Sequence, residues 1–314
     1  METPRNWSQL GPYFADEDKA RLLLEAMRWP NGPTCPQCKQ TSTVYRMQPR
    51  KASKTPGRKG LLRCRACKRQ FTVTTGTVFE DSHIPMTKWL QAIYLITASK
   101  KGMSAHQLHR MLGLTYKAAW FMGHRLRYAM SVEPFGAKLS GIVEMDETFV
   151  GGKVRFARGA KAVDWRNAKT AVVGLVERGG RVRAFPMERI TAETLGAAIS
   201  EHVAPDAIMM TDELPAYRKA VQGREHQHTT HYNREYVRGN VHSNTVEGFF
   251  SLLKRGITGV YHHVGKGHLS KYCDEFSFRY DARKVSDADR AELLVWGAEG
   301  KRLTYKQPGR ASQN

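Results

Sequence analysis

The sequence predicts a multi-domain α/β chain of three parts: a small cysteine-based module, a helical segment, and a larger domain mixing strands and helices. Three observations predict it. Two Cys-x-x-Cys pairs lie near the N-terminus, a helical pattern without a single acid runs from Pro85 to Met130, and strand-length and helix-length apolar patterns alternate after residue 141. At 314 residues the chain exceeds the roughly 250 residues that one core usually serves. Its 41% hydrophobic content is ample for buried cores.

Fifty Lys and Arg against 29 Asp and Glu give a net charge of +21. Such an excess points to a polyanionic partner, either nucleic acid or an anionic membrane. No apolar run reaches the roughly 18–20 residues that span a bilayer, and the N-terminus has no basic and apolar leader. The expectation is a cytosolic chain with no membrane partner. The charge is regional: +8 on residues 1–85, +7 on 86–130 and +6 on the remainder. Residues Arg46–Arg69 hold ten basic side chains and no acid.

Cys35 and Cys38 form one pair, and Cys64 and Cys67 the other, with 25 residues between them. In a reducing compartment two matched pairs present four thiolates to one tetrahedral Zn²⁺. Bound metal would replace the core that so short a module lacks. Phe71, Val73 and Val78 alternate as in a closing strand. Cys273 stands alone and reads as a buried helix residue.

Within the acid-free segment, Trp89, Ile93 and Ile96 give one helix an apolar face over about Thr87–Ser99. Lys100-Lys101-Gly102 breaks it. Ser104 opens a second helix that ends at Gly113, and Thr115 is placed to cap a third over Tyr116–Met130. Helix, glycine turn, helix is the helix-turn-helix pattern. Lys117, Arg125 and Arg127 on the third helix, with His124, are candidates for phosphate contacts. Ser131–Ser140, containing Pro134 and Gly136, reads as a linker.

In the second half, Gly141–Val150 is a strand with Ile142, Glu144, Asp146 and Thr148 on one face and Val143, Met145, Glu147 and Phe149 on the other. Thr170–Glu177, Val182–Pro186 and Ala207–Met210 are further strands, and Thr191–His202 is a helix. A helical stripe of Val246, Phe249, Phe250, Leu253 and Ile257 has Asn244, Glu247, Ser251 and Lys254 on its polar side. Asp146, Asp212 and Glu247 are thus placed where a hard cation such as Mg²⁺ could be held. Glu144, Glu147 and Glu213 are alternative ligands by spacing alone. Lys153, Arg155, Arg158, Lys161, Arg166 and Lys169 form a basic stretch between the first two strands, readable as a DNA grip or as a solvated loop.

Several of these motifs resemble one family. Trp29-Pro30 with the cysteine pairs and Thr75-Gly-Thr-Val-Phe79 resembles the N-terminal zinc ribbon of bacterial insertion-sequence DDE transposases of the ISXO-like class. Lys88-Trp89, Lys101-Gly-Met-Ser104, Ala119-Trp120 and His124-Arg125 resemble the segment that follows it. Met145-Asp-Glu-Thr-Phe-Val-Gly-Gly-Lys153, Thr211-Asp212, and His242-Ser-Asn-Thr-Val-Glu247-Gly-Phe-Phe250 with Lys254-Arg-Gly256 resemble the three acidic motifs. Tyr261-His262, His268-Leu269 and Asp274-Glu-Phe276 through Phe278-Arg-Tyr280 resemble the C-terminal signature. The resemblance covers roughly residues 20–285.

It implies an RNase H-like mixed-sheet catalytic domain with Asp146, Asp212 and Glu247 as the catalytic triad, and Mg²⁺ (or Mn²⁺) and Zn²⁺ as cofactors. It also implies double-stranded DNA as partner, both terminal inverted repeats and target, with homo-oligomers formed on DNA in a bacterial, nucleoid-associated setting. Lys117, Arg125, Arg127, Lys153, Lys254, Arg255, His262 and His268 are the expected DNA contacts. Competing readings are a non-catalytic zinc-ribbon and helix-turn-helix regulator, and an RNase H-like nuclease that never joins ends. The expected domains are a zinc ribbon with an N-terminal helix at 1–84, helical DNA-binding segment at 85–130, linker at 131–140, catalytic domain at 141–300 and polar tail at 301–314.

Overall fold

A computed structural model of the chain describes residues 4, 6–48, 59–131, 137–151, 169–229 and 237–305. They form two compact units, one of residues 1–99, 103–130 and 285–314, the other of residues 100–102 and 131–284.

In the first unit, α1 (Trp7–Ala15) and α2 (Glu17–Arg28) meet at Asp16, whose carboxylate accepts from the Asp18 and Lys19 backbone N–H groups and so caps α2. A three-stranded antiparallel sheet follows, of β1 (Val44–Arg46), β2 (Leu62–Cys64) and β3 (Gln70–Phe71). The closing strand is shorter than the alternation of Phe71, Val73 and Val78 predicts, because the chain turns at Thr72–Thr75, where the Thr75 hydroxyl accepts from the Thr72 N–H. Helices α3 (Met86–Ala98), α4 (Ala105–Leu112) and α5 (Tyr116–Ala129) sit where the sequence puts them. Ser104 and Thr115 cap α4 and α5 through their hydroxyls, and Gly113 ends α4 at φ +57°, a conformation that suits glycine.

The last helix, Asp287–Gly297, belongs to this unit, although the sequence reading assigns it to the catalytic domain through residue 300. Its Ala291, Leu294 and Val295 are buried. Trp296 Nε1 donates to the Met27 carbonyl at 2.6 Å, and the chain beyond pairs with Gly76–Val78. A contact between segments so far apart in sequence leaves no local pattern to read. For the same reason the expected ribbon and helical segment fall within one compact unit.

The second unit is built on a five-stranded mixed sheet of order β6-β5-β4-β7-β8: β4 (Ile142–Val150), β5 (Thr170–Glu177), β6 (Val182–Met187), β7 (Ile208–Thr211) and β8 (His226–His228). The first three strands form an antiparallel meander, while β7 and β8 run parallel to β4. This is the mixed sheet that the sequence predicts for the second half of the chain. On one face Val143 and Met145 pack with Leu195 and Ile199 of α6 (Ala192–His202) and Tyr217 of α7 (Pro215–Ala220). On the other, Val172 and Val176 pack with Val246, Phe249 and Phe250 of α8 (Asn244–Gly256) and Phe276 of α9 (Leu269–Asp281). The alternation along β4 is therefore that expected of a strand covered on both sides. The edge strand β8 has no signal in the sequence, because three residues rich in histidine carry too short a pattern. Leu139 of the expected linker is buried and bridges Val203. Cys273 is buried in α9, and burial raises its thiol pKa.

Candidate functional site

Strand register brings two of the acids together. Glu144 of β4 is paired with Met210 of β7, Asp212 comes directly after β7 ends at Thr211, and Asp146 follows Glu144 on the same face of β4. That is the face covered by α8, whose exposed side carries Glu247. Burial, then the negative charges of Glu147, Asp212 and Glu247, push the Asp146 carboxyl up to about 7. Asp212 accepts from the Leu214 N–H at 3.0 Å and Glu247 from the Ser243 hydroxyl at 3.0 Å, while Asp146 accepts from the Glu147 N–H at 2.7 Å. Among the described residues no Lys, Arg or His forms an ion pair with any of the three.

The alternative ligands are engaged elsewhere. Glu147 lies on the opposite face of β4 and accepts from the Tyr217 hydroxyl at 2.5 Å, a bond that holds the first acidic segment against α7. Its carboxyl is raised by burial and, against the Tyr217 bond, by Asp212. Glu144 is ion-paired to Arg178 and bonded to α8. Glu213, beside Asp212, is half-buried.

Three carboxylates that form no ion pair among the described residues, with the Asp146 carboxyl raised, suit Mg²⁺ or Mn²⁺ in donor type and in charge. The carboxylates are more open than the thiols of the first unit. There, Cys35, Cys38, Cys64 and Cys67 converge with all sulfurs within 4.8 Å of one another, the one such group of three or more ligands among the described residues. Cys35 and Cys67 stand 3.6 Å apart, as do Cys38 and Cys64. The Thr43 hydroxyl and the Cys67 backbone N–H favour the Cys64 thiolate, pulling it down to about 6. Four convergent thiols fit tetrahedral Zn²⁺.

The expected DNA contacts divide. Lys117 is exposed on the first turn of α5, its ammonium 4.6 Å from the Tyr305 ring centre. Arg125 and Arg127, at 8% and 4% exposure, are turned into the first unit. Arg125 Nε donates to the Leu303 carbonyl at 3.3 Å and its guanidinium lies over the Phe121 ring, so burial lowers its pKa. Both are therefore withdrawn from the expected phosphate contacts. Residues Lys301–Tyr305 run along α5, and the sequence has no signal for that. Lys254 and Arg255 are exposed on α8, with Arg255 Nε donating to the Ser251 carbonyl. His262 is exposed at φ +58° beyond α8, and His268 is exposed just before α9. Lys153 and its basic neighbours through Arg166 lie outside the described residues.

Residues 138–281 match the ISXO2-like transposase domain, and residues 15–70 match the transposase zinc-ribbon domain. An uncharacterized protein in transposable element ISH50 of Halobacterium salinarum is 28% identical over 304 residues, spanning 90% of this chain and 97% of that protein. Among solved structures, the Mos1 strand transfer complex is matched over 68% of this chain and 79% of that one at TM-score 0.28 and 12% identity. A pre-cleavage Mos1 transpososome is matched over the same shares at TM-score 0.23 and 15% identity. Among the described residues no helix is long and apolar enough to cross a membrane.

Proposed function

We propose that the chain is the transposase of an insertion sequence, because its residues 138–281 match the ISXO2-like transposase domain, its residues 15–70 match the transposase zinc-ribbon domain, and a protein of a transposable element is 28% identical to it over 304 residues. It binds the terminal inverted repeats of its element, cleaves the DNA at their ends and joins the freed 3′ ends to target DNA. Asp146, Asp212 and Glu247 would hold Mg²⁺ or Mn²⁺, and Cys35, Cys38, Cys64 and Cys67 Zn²⁺. The observation that carries the reading is a group of acids that form no ion pair among the described residues, around a half-buried Asp146 whose carboxyl is raised to about 7. A structural acid at this depth would be paired; one kept ready for a cation is not.

When bound, the divalent cations supply charge neutralisation at phosphorus and a more acidic attacking oxygen. The protein orients that charge: β4 and β7 fix the two aspartates and α8 carries Glu247. Ser243 and the Leu214 N–H orient the outer carboxylates through hydrogen bonds. Cleavage and joining are both in-line displacements at a phosphodiester, so one set of acids serves both. Lys254, Arg255, His262 and His268, exposed on and beyond α8, and Lys117 on α5 are the proposed phosphate contacts. Joining two ends calls for more than one copy of the chain on DNA, in the nucleoid of the host.

The test is cleavage and strand transfer of oligonucleotide duplexes carrying the element's ends in Mg²⁺ or Mn²⁺. The wild-type chain nicks the ends and transfers them into plasmid, and Asp146→Asn does neither while still retarding end DNA. Cleavage without transfer identifies a nuclease, binding without cleavage a regulator, and cleavage by Asp146→Asn removes the acid assignment.

A further inference from the structure

Glu144 is 0% exposed on β4, two residues before Asp146 and on the same face. Its Oε2 accepts from the backbone N–H groups of Thr245 at 2.7 Å and Val246 at 3.0 Å, in the first turn of α8. Its Oε1 accepts from the Thr245 hydroxyl at 2.8 Å and from Arg178 Nε at 2.6 Å. Ser243, the residue at the cap position of α8, makes no side-chain cap bond, so the open N–H groups of this helix are satisfied by a carboxylate from the neighbouring strand. Arg178, directly after β5, donates from Nη1 to the Asn240 carbonyl and side chain at 2.8 and 2.7 Å, and from Nη2 to the His242 carbonyl at 3.0 Å. The His242 ring stands 3.3 Å from Glu144 Oε1.

One ion pair, between the buried Glu144 and the half-buried Arg178, therefore ties β4, the turn after β5, and the chain from Asn240 to Val246 into a single joint. The carboxylate is occupied on both oxygens and the charge is answered by Arg178, which leaves it no role as a cation ligand. A pair this deep adds little stability compared with well-packed apolar groups, and its use lies in specifying geometry. Apolar packing between α8 and the sheet is non-directional and tolerates sliding along the helix axis. Four short charge-assisted bonds do not. The joint is two residues from Asp146 at one end and one residue from Glu247 at the other.

We infer that Glu144 is a positioning residue that sets the separation of Asp146 and Glu247, holding the helix-borne acid in register with the strand-borne one through the α8 N-terminus. The inference rests on the reading of Asp146, Asp212 and Glu247 as cation ligands.

The experiment uses the full chain and three readouts: Mn²⁺ binding by titration calorimetry, end-DNA affinity by gel retardation, and the end-cleavage rate. Glu144→Gln keeps the size of the side chain but replaces two of the four accepted bonds with an NH₂ donor. It is expected to weaken Mn²⁺ binding at least tenfold and slow cleavage about a hundredfold, with partial recovery at high Mn²⁺ and end-DNA affinity within twofold of wild type. Thr245→Val removes one donor to the same carboxylate without stranding a charge, and is expected to weaken Mn²⁺ binding a few-fold. Wild-type Mn²⁺ affinity in folded Glu144→Gln overturns the inference, as does loss of DNA affinity in step with cation affinity. If Glu144→Gln fails to fold, wild-type Mn²⁺ affinity in Thr245→Val overturns it instead. Asp146→Asn and Glu247→Gln run in parallel. If either cleaves at the wild-type rate, the acid assignment fails and the inference falls with it. If both are inactive while Glu144→Gln matches wild type in binding and rate, Glu144 alone loses its role.

Discussion

Asp146 is an acid in a place that disfavours its charge. Burial and three neighbouring carboxylates raise it to about 7, from 3.8 for a free side chain. An acid whose pKa is raised on folding contributes stability that is complete below the unfolded value near 4 and is lost as pH rises through about 7. The metal-free chain should therefore melt at progressively lower temperature between pH 4 and pH 7, by an upper limit on the order of 4 kcal/mol for this group. Mg²⁺ or Mn²⁺ should restore stability above pH 7, where the carboxylate is free to bind. Asp146→Asn removes the charge and should raise the metal-free melting temperature at pH 8 while abolishing cleavage; calorimetry with and without metal reads both effects. An unchanged melting temperature in that variant would show that the acids do not strain the fold.

Helix α8 can carry Glu247 near the sheet because of what β5 lacks. Gly174 pairs with Asp146 across the strands, and a Cβ there would come within 2.9 Å of the Phe250 ring and 3.1 Å of Val246. Gly174→Ala should lift α8 off the sheet, costing about 1–3 kcal/mol from overpacking and slowing end cleavage more than tenfold, with end-DNA binding retained. The C-terminal helix makes the complementary case. A chain ending at residue 284 loses the buried Ala291, Leu294 and Val295 and the Trp296–Met27 bond, where each fully buried Leu or Val is worth about 1.5–3 kcal/mol. This truncation should unfold the first unit and abolish end binding while the second retains its own melting transition. Intact end binding by 1–284 would contradict the packing.

Two compact units, for which different metals are proposed, should melt separately. A strong zinc chelator is expected to remove the transition of the first unit and with it specific end binding, and to leave the second unit's transition in place. The same treatment should not release the response of the second unit to Mg²⁺. Charge follows the same division: residues 1–99, 103–130 and 285–314 of the first unit carry +14 of the +21, so end binding should weaken steeply with salt.

Features carried by local spacing are legible in the sequence. Two matched cysteine pairs announce four convergent thiols, Ser104, Thr115 and Gly113 mark the ends of α4 and α5, and the alternation along β4 sorts Glu144 and Asp146 from Val143 and Met145. Which acid does what is not legible, because it depends on partners distant in sequence. Glu144, Asp146 and Glu147 look alike by spacing. Folding gives Glu144 to Arg178 and the α8 N-terminus, Glu147 to Tyr217, and leaves Asp146 near Asp212 and Glu247 with no ion pair among the described residues. The same holds for Arg125 and Arg127, basic residues in a basic segment that the returning C-terminal chain helps to bury. Spacing along the chain fixes periodicity and caps, since those are short-range geometry. Whether a charge is paired or open is settled by long-range packing.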